Sequence, residues 1–448
     1  MGVVTETVSP LAAVWARVTN DVITRGEGCW LYAESGREYL DFTSGIGVTN
    51  TGHCHPRVVE AVQRQAGELL FGQMNCVVPE TALTFVETLR PHLPASLDRF
   101  FLSNSGAEAV EGAVKLARMA TGRPNIIALE GGFHGRTAMT MALTSSKTVY
   151  RAGYQPLPGG VFFAPFPSPL QHLDAGLCFG TPTGANEGTC QAKGRCLGPC
   201  DDERISDYCL ARLEHVLAAQ TAPSETAAVL LEPVLGEGGY VAAPHTFVRK
   251  LRALCDAHDL LLIVDEIQSG VGRTGDWWRH TGAVVEPDIL IMAKGIASGL
   301  PMSAIAARGE FMDRWPPGAH GGTYGGGSAI AQAAAIATIE VMRDEHLPEN
   351  AAARGEQLTA ALNKIAERTP AIRQVRGPGL MVGVEFETGP TGKQQAGAVA
   401  KRCADEGLLL LTCGTQGNVV RFIPPLVVTA ELIEQGVAIF DQAVSDVL

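Results

Sequence analysis

The sequence has few charged residues and no excess of basic ones. Asp, Glu, Lys and Arg make up only 18% of its 448 residues, whereas soluble domains average about 25%. A formal net charge of −12 and a pI near 5.4 leave no basic surface for nucleic acid or an anionic membrane. We therefore expect small-molecule substrates, and the low charge leaves room for a large buried subunit interface.

Long apolar runs and targeting signals are also missing. No apolar run approaches the roughly 18 residues that cross a bilayer, and the first six residues show no basic region followed by an apolar one. These absences predict a soluble, cytoplasmic protein. The 11 cysteines are odd in number and mostly scattered, so reduced thiols are the default expectation.

The chain is longer than one hydrophobic core usually fills, which predicts two or three packed domains. Between residues 56 and 326, helical patterns alternate with short apolar runs, and this indicates an α/β large domain with a mostly parallel sheet flanked by helices. The runs that predict strands are Ile126–Leu129, Ala228–Leu231, Leu260–Val264 and Ile289–Met292. Residues 1–55 and 327–448 are expected to form a small α+β domain.

Two further elements are predicted outside these runs. Trp30–Tyr32 and Tyr39–Phe42 flank a polar turn, a pattern typical of a short hairpin. An alanine-rich helix is predicted from about Ile330 to Met342.

Opposite charges follow two of the predicted strands. Asp265 and Glu266 end one apolar run, and Lys294 follows the next one, 29 residues after Asp265. Neighbouring strands of a parallel sheet would deliver both groups to one crevice. A lysine that forms a Schiff base and a carboxylate that pairs with a pyridinium nitrogen are what pyridoxal phosphate chemistry requires. The sequence therefore predicts an enzyme that depends on this cofactor.

Other motifs allow both a functional and an ordinary interpretation. Ser105 precedes an amphipathic helix, so the helix start is either a phosphate cradle or a common serine cap. Phe133 could cover a flat ring with Arg136 on the substrate side, or it could pack in the core. Glu237 lies in a glycine-rich loop, where it could face the site or be solvated. Thr323 offers a hydroxyl in a loop that permits close backbone approach to a phosphate.

A competing class is the P-loop ATPases, whose acidic pair also follows a buried strand. That class requires the string G-x-x-x-x-G-K-[ST], which is absent. Thr391–Gln394 lacks both the first glycine and the final hydroxyl. A non-catalytic binding or scaffold protein would leave the charges at the strand ends without a purpose.

Taken together, these motifs resemble the class III (ω-amino acid) aminotransferases, which are pyridoxal phosphate enzymes of fold type I. The resemblance extends from about Trp15 to Val444, with the segment Pro165–Asp207 excepted. The matching strings are Gly45–Val48, Asn50–His53, Ser105–Ala109, Phe133–Thr137, Glu232–Pro233, Gly236–Gly239, Asp265–Gly270, Lys294–Gly295 and Gly322–Gly325. The 4-aminobutyrate aminotransferases are the most similar members.

The resemblance implies roles around pyridoxal 5'-phosphate. Lys294 would be the Schiff-base lysine and the proton carrier, and Asp265 would keep the pyridine nitrogen protonated. Gln268 would bind the phenolic oxygen and Phe133 would stack on the ring. The other implied cofactor-binding residues are Ser105, Gly106, Ala107, His134, Glu232 and Thr323. Thr323 would reach the phosphate of a neighbouring subunit, which implies a homodimer with shared sites, and dimers could pair into tetramers.

The resemblance also implies how two substrates are handled. Arg421 would bind an α-carboxylate, and Glu237 would neutralise Arg421 when that carboxylate is absent. Arg136 would hold the distal carboxylate and Ile46 would line the pocket. The implied reaction transfers the ω-amino group of 4-aminobutyrate or a similar amino acid to 2-oxoglutarate or another keto acid by a ping-pong mechanism. Acetylornithine, ornithine and broad ω-amine:pyruvate transaminases remain open, as do racemases, mutases and decarboxylases.

One segment departs from the family pattern. Pro165–Asp207 lacks clear periodicity and reads as an insertion. The cysteines in it or just after it are Cys178, Cys190, Cys196, Cys200 and Cys209. They could bind zinc or an iron–sulfur cluster, form disulfides or remain reduced thiols, and no metal site is assigned to them. The insertion could also shape the substrate entrance.

Overall fold

Strands and helices alternate along the two parts of the chain that the computed structural model describes, residues 11–177 and 201–448. The strands are β1 (Ile23–Glu27), β2 (Trp30–Ala33), β3 (Glu38–Asp41), β4 (Arg99–Ser103), β5 (Asn125–Leu129), β6 (Val161–Ala164), β7 (Thr226–Leu231), β8 (Val234–Leu235), β9 (Val241–Ala242), β10 (Leu261–Asp265), β11 (Ile289–Met292), β12 (Ser303–Ala307), β13 (Ile372–Arg376), β14 (Val382–Phe386), β15 (Leu408–Leu409), β16 (Leu411–Cys413) and β17 (Val419–Phe422).

The helices complete the framework around these strands. They are α1 (Ser44–Gly47), α2 (Pro56–Glu68), α3 (Glu80–Leu89), α4 (Gly106–Thr121), α5 (Ala138–Leu143), α6 (Pro169–Asp174), α7 (Asp202–Ala219), α8 (His245–Ala257), α9 (Gly309–Met312), α10 (Ala329–Asp344), α11 (Leu347–Arg368), α12 (Gly389–Asp405) and α13 (Ala430–Val447). Within the described residues, no helix is both long enough and apolar enough to cross a membrane.

Seven strands form the central sheet in the order β4-β12-β11-β10-β7-β5-β6. β12 runs antiparallel to both of its neighbours, and the other neighbouring strands run parallel. The four apolar runs identified in the sequence all become strands of this sheet, so the predicted α/β fold with a mostly parallel sheet is confirmed. The same pairing makes β10 and β11 direct neighbours.

The central strands are apolar because helices cover both faces of the sheet. Successive residues point to opposite faces, and Leu230, Ile263 and Ile291 accordingly pack with α4 in one hydrophobic cluster. Leu231 and Val264 lie in the larger cluster on the other face. Polar side chains are therefore displaced to the ends of the strands, where a site can form.

Among the described residues, three smaller sheets accompany the central one: the pair β8-β9 and two sheets of four strands, one of which joins both ends of the described chain. β2 and β3 form the predicted hairpin, and β15 adds to it in parallel beside β3. A second sheet has the order β13-β14-β17-β16. We propose the division into residues 1–55, 56–326 and 327–448 on this basis, because strands from both ends of the chain share one sheet.

The alanine-rich segment forms α10, as predicted, although the helix is longer at both ends. Most of its residues are buried, because it packs against both α2 and α3. Small side chains allow this close approach from two directions.

The prediction that regular structure is missing from Pro165 to Asp207 is wrong at both ends. Residues 169–174 form α6, and α7 begins at Asp202 with the Asp201 carboxylate accepting from backbone N–H groups. Proline is favoured at the first position of a helix, which is where Pro169 lies. In the sequence this proline indicates a loop, so the helix was not predicted. The remaining part of the predicted insertion, residues 178–200, lies outside the described residues.

Cys209 lies on α7 rather than in a loop. Its thiol is buried, and its sulfur lies 3.5 Å from Nε2 of His172. Cys178, Cys190, Cys196 and Cys200 lie outside the described residues, so the structure does not test a metal site in that segment. Within residues 11–177 and 201–448, no group of three or more His, Cys, Asp or Glu side chains is arranged to hold a metal ion.

Candidate active site

A cavity of about 330 Å³ lies at the carboxyl edge of the central sheet, and we call it the inner cavity. It is formed where β10 and β11 end and where α4 begins. Among the predicted residues, its wall includes Ser105, Gly106, Ala107, Phe133, His134, Glu232, Glu237, Asp265, Gln268 and Lys294. The structure therefore brings together every predicted cofactor residue except Thr323.

Asp265 is held from two sides at the end of β10. Its Oδ2 lies 2.8 Å from Nδ1 of His134, and its Oδ1 accepts the backbone N–H of Ile267 at 3.1 Å. Burial opposes a charge on His134, but the hydrogen bond and negative charge of Asp265 outweigh it, so the pKa of His134 is raised. His134 therefore fixes the carboxylate, a contact that sequence reasoning missed.

Lys294 follows β11 in a strained conformation. Its φ is +50°, a left-handed value that side chains other than glycine rarely adopt and that is typical of functional sites. Burial lowers the pKa of the Lys294 amine to about 8, although the carboxylates of Glu237 and Glu232 act in the opposite direction. With this lowered pKa, roughly a tenth of the amine is neutral at pH 7, and the neutral form can act as a nucleophile.

The start of α4 is a capped helix that opens onto the inner cavity. The Ser105 hydroxyl accepts from the backbone N–H of Glu108, and the Glu108 carboxylate accepts the backbone N–H of Ser105 at 2.8 Å. The first N–H groups of a helix have no intrahelical partner, and Gly106 and Ala107 line the cavity. A Cβ on Gly106 would lie 2.9 Å from Cδ1 of Ile267, so a larger residue there would collide with Ile267. The two interpretations of this motif are compatible.

Glu232 and Gln268 complete the polar wall. Glu232 accepts the backbone N–H groups of Phe133 at 2.7 Å and Gly236 at 3.0 Å, and burial raises its pKa. It therefore ties two loops together. Oε1 of Gln268 is buried and has no hydrogen-bond partner within the described residues. An unpaired buried carbonyl oxygen costs free energy, and a hydrogen-bond donor beside it would lower that cost.

A second cavity of about 710 Å³ shares Phe133, Glu237 and Lys294 with the first, and we call it the outer cavity. The other predicted substrate residues, Ile46, Arg136 and Arg421, all line it. All four predicted substrate residues therefore lie around one opening that leads to Lys294.

The outer cavity contains a buried ion pair. Nη1 of Arg421, on β17, contacts Oε1 of Glu237, and both side chains are largely buried. Burial opposes ionisation of Glu237, but the charge of Arg421 prevails and lowers the pKa of Glu237 to about 2. The same pairing raises the pKa of Arg421. Both groups therefore remain charged at neutral pH.

Ile46 reaches the outer cavity through an irregular backbone. Gly45 and Ile46 both have positive φ, of 62° and 70°, and the side chain of Ile46 remains partly exposed. Asp41 accepts from the hydroxyl and backbone N–H of Thr43 and so fixes the turn. The turn presents Ile46 to the cavity rather than to the core.

Sequence reasoning missed Lys147 and Tyr150, which also line the outer cavity. The Tyr150 hydroxyl donates to Oε2 of Glu237 at 2.9 Å, and Cζ of Arg136 lies 4.7 Å from the centre of its ring. After α5, Lys147 precedes and Tyr150 ends a single 3₁₀ turn, Thr148–Tyr150, which is too short to give a periodic signal. Only the fold brings them to Glu237.

Thr323 lies in an exposed loop and lines neither cavity. The neighbouring Tyr324 is 70% exposed and contacts the ring of Phe71 at a centroid distance of 5.7 Å. The structure therefore leaves Thr323 available at the surface, and its predicted role in a neighbouring subunit stays a prediction.

Residues 11–444 match the profile of the aminotransferase class-III family. The chain belongs to this family. This class III aminotransferase is 40% identical over 416 residues to a 5-aminovalerate aminotransferase of Pseudomonas putida, covering 92% of this chain and 90% of the relative. It is 39% identical over 423 residues to a 4-aminobutyrate aminotransferase of Escherichia coli, covering 93% and 92%.

Solved structures agree with the family assignment. An amine transaminase from an uncultivated Pseudomonas species, in its PLP-bound form, has a TM-score of 0.84 and 27% identity, with 98% of each chain covered. The ornithine aminotransferase of Toxoplasma gondii has a TM-score of 0.81 and 28% identity, with 98% of this chain and 92% of that one covered. The protein is thus a fold type I aminotransferase that uses pyridoxal 5'-phosphate and small amino and keto acids.

Proposed function

We propose that this class III aminotransferase transfers the ω-amino group of 4-aminobutyrate, 5-aminovalerate or a similar ω-amino acid to 2-oxoglutarate or another keto acid. The substrates would alternate in one site by a ping-pong mechanism. The observation that carries the proposal is the buried pair of Arg421 and Glu237 beside Lys294. The similarity to 4-aminobutyrate and 5-aminovalerate aminotransferases supports the choice of amino donor.

The inner cavity fits pyridoxal 5'-phosphate in its donor set. Lys294 would hold the aldehyde carbon, Asp265 the pyridine nitrogen and the start of α4 the phosphate. The Nε2–H group of the Gln268 amide, at the wall of the inner cavity, would donate to the phenolic oxygen, and Phe133 would cover one face of the ring. When bound, the cofactor supplies a ring that accepts the electrons released as the substrate loses a proton.

Lys294 would also move the proton. Once the amino donor has displaced it, the Lys294 amine would take a proton from the substrate carbon that bears the nitrogen and would deliver it to the carbon that Lys294 had held. Burial suits this work, because it lowers the pKa of the Lys294 amine to about 8, and a base works best when its pKa lies near the working pH. His134 would act indirectly, by holding Asp265.

Arg421 and Glu237 would distinguish the two kinds of substrate. An ω-amino acid has no α-carboxylate beside its reacting amine, so Glu237 stays on Arg421 and neutralises it. Glutamate or 2-oxoglutarate brings an α-carboxylate that takes the place of Glu237. Leaving a buried arginine without a counter-charge is costly, so the switch needs one anion or the other. Arg136 would bind the distal carboxylate through its planar fork.

The assembly and location remain part of the proposal. We propose a homodimer in the cytoplasm, with Thr323 of each subunit near the phosphate site of the other. The exposed position of Thr323 in the described structure supports this arrangement.

A single-turnover absorbance experiment tests the proposed reaction. Protein loaded with the cofactor is mixed in turn with 4-aminobutyrate, 5-aminovalerate, β-alanine, ornithine, acetylornithine and a simple arylalkylamine. We expect the yellow pyridoxal form to bleach fastest to the pyridoxamine form with 4-aminobutyrate or 5-aminovalerate. Bleaching by ornithine or the arylalkylamine alone would support an aminotransferase reaction but refute the proposed amino donor. No bleaching by any amine would refute the proposed function.

A further inference from the structure

Tyr150 lies between the groups that are proposed to bind substrate, yet the proposed mechanism gives it no role. Its hydroxyl donates to Oε2 of Glu237 at 2.9 Å. Its ring faces the guanidinium of Arg136 at 4.7 Å and meets the edge of Phe133 at a centroid distance of 5.0 Å. One side chain therefore contacts both ends of the substrate pocket.

The two oxygens of Glu237 have different partners. Oε1 contacts Arg421, whereas Oε2 accepts from Tyr150. The carboxylate is thus held on both sides when it covers Arg421, and the nearby charge of Lys147 also favours its ionised form. A hydrogen bond to a charged acceptor is about twice as strong as one between neutral groups.

Tyr150 is suited to remain a donor. Burial raises the pKa of its hydroxyl, and the negative charge of Glu237 raises it further. The hydroxyl therefore keeps its proton across the physiological range. Because the ring is fixed between Arg136 and Phe133, the hydroxyl is oriented towards the position that Glu237 occupies while it covers Arg421.

We propose that Tyr150 is a positioning residue whose hydroxyl stabilises Glu237 over Arg421 and so sets the balance between the two kinds of substrate. A substrate with an α-carboxylate must displace Glu237 and break this hydrogen bond. An ω-amino acid leaves it intact. The hydroxyl therefore favours ω-amino acids over glutamate and 2-oxoglutarate. This inference rests on the proposed function, because it concerns the same switch.

The test is Tyr150→Phe, which removes the hydroxyl and keeps the ring beside Arg136. We expect the ratio of kcat/KM for glutamate to kcat/KM for 4-aminobutyrate to rise by about tenfold. Glutarate, a dicarboxylate without an amino group, should bind the loaded protein about tenfold more tightly in calorimetry. Tyr154→Phe is the matched control, since Tyr154 is 61% exposed, and it should change neither quantity.

A double-mutant cycle separates a role through Glu237 from a merely structural one. In a Glu237→Gln background, Tyr150→Phe should change glutarate binding by less than about twofold, because the acceptor charge is already gone. Equal changes in both half-reactions, or the same effect in both backgrounds, would overturn the inference. If neither glutamate nor 4-aminobutyrate bleaches the wild-type protein, the proposed function is refuted. Glutarate binding in calorimetry still tests whether the Tyr150 hydroxyl stabilises Glu237 over Arg421.

Discussion

The inner and outer cavities share Phe133, Glu237 and Lys294 but are built differently. The inner cavity is formed by the ends of adjacent strands and the start of α4, and its charged groups are fixed by backbone and side-chain hydrogen bonds. The outer cavity gathers long side chains from separate loops and from β16 and β17. A rigid wall suits a cofactor that stays, whereas an adjustable wall suits two substrates that alternate.

The largest effect is expected where the two cavities meet. Lys294→Ala removes the amine that would hold the cofactor and carry the proton, so the single-turnover rate should fall by at least about a thousandfold. Stopped-flow absorbance after mixing with 4-aminobutyrate measures it. Lys364→Ala, on the exposed face of α11, is the control and should react normally. A loss of less than tenfold would assign the chemistry to another base.

The next largest effect tests the inner cavity. Asp265→Asn keeps the shape but removes the charge that would protonate the pyridine nitrogen, and we expect kcat to fall by about a hundredfold with both donors. The same change should lower the pKa of His134. Burial alone lowers this pKa, and the hydrogen bond and charge of Asp265 raise it. NMR titration of the histidine would show this, and an unchanged kcat would contradict the role of Asp265.

A smaller effect, expected with only one of the two substrates, tests the outer cavity. Glu237→Gln leaves Arg421 without a full counter-charge when an ω-amino acid binds, so kcat/KM for 4-aminobutyrate should fall by about tenfold to a hundredfold. Glutamate brings its own carboxylate, and its half-reaction should change by less than about threefold. Glu225→Gln, at an exposed turn, serves as the control. Equal losses with both substrates would refute the switch.

The smallest effect concerns pH. Burial depresses the pKa of Lys294 to about 8 in the folded protein, so its reactive neutral form is scarce below that value and dominant above it. The rate constant for cofactor uptake by the cofactor-free protein should therefore rise by about fivefold from pH 7 to pH 8 and level off above pH 9. Stopped-flow absorbance follows the uptake. A rise that continues to pH 10 would mean that burial does not depress this pKa.

Much of the fold and the inner cavity followed from local patterns, whereas contacts between distant segments did not. The strands before Asp265 and Lys294 were predictable because buried parallel strands are continuous apolar runs. The helix at Pro169 was hidden by its short length and by the prolines around it. Tyr150 carried no signal, because the segment that contains it has no periodicity and its partner lies 87 residues away.

The sequence by itself determined the parallel sheet, the charged groups at its carboxyl edge and the glycine at the start of α4, because each depends on residues close together in the chain. The tertiary structure decided the pairing of His134 with Asp265, 131 residues apart, and of Arg421 with Glu237, 184 residues apart. Such pairs depend on how separate elements pack. Burying either charge alone would be costly, so both groups can be buried only where the fold brings them together.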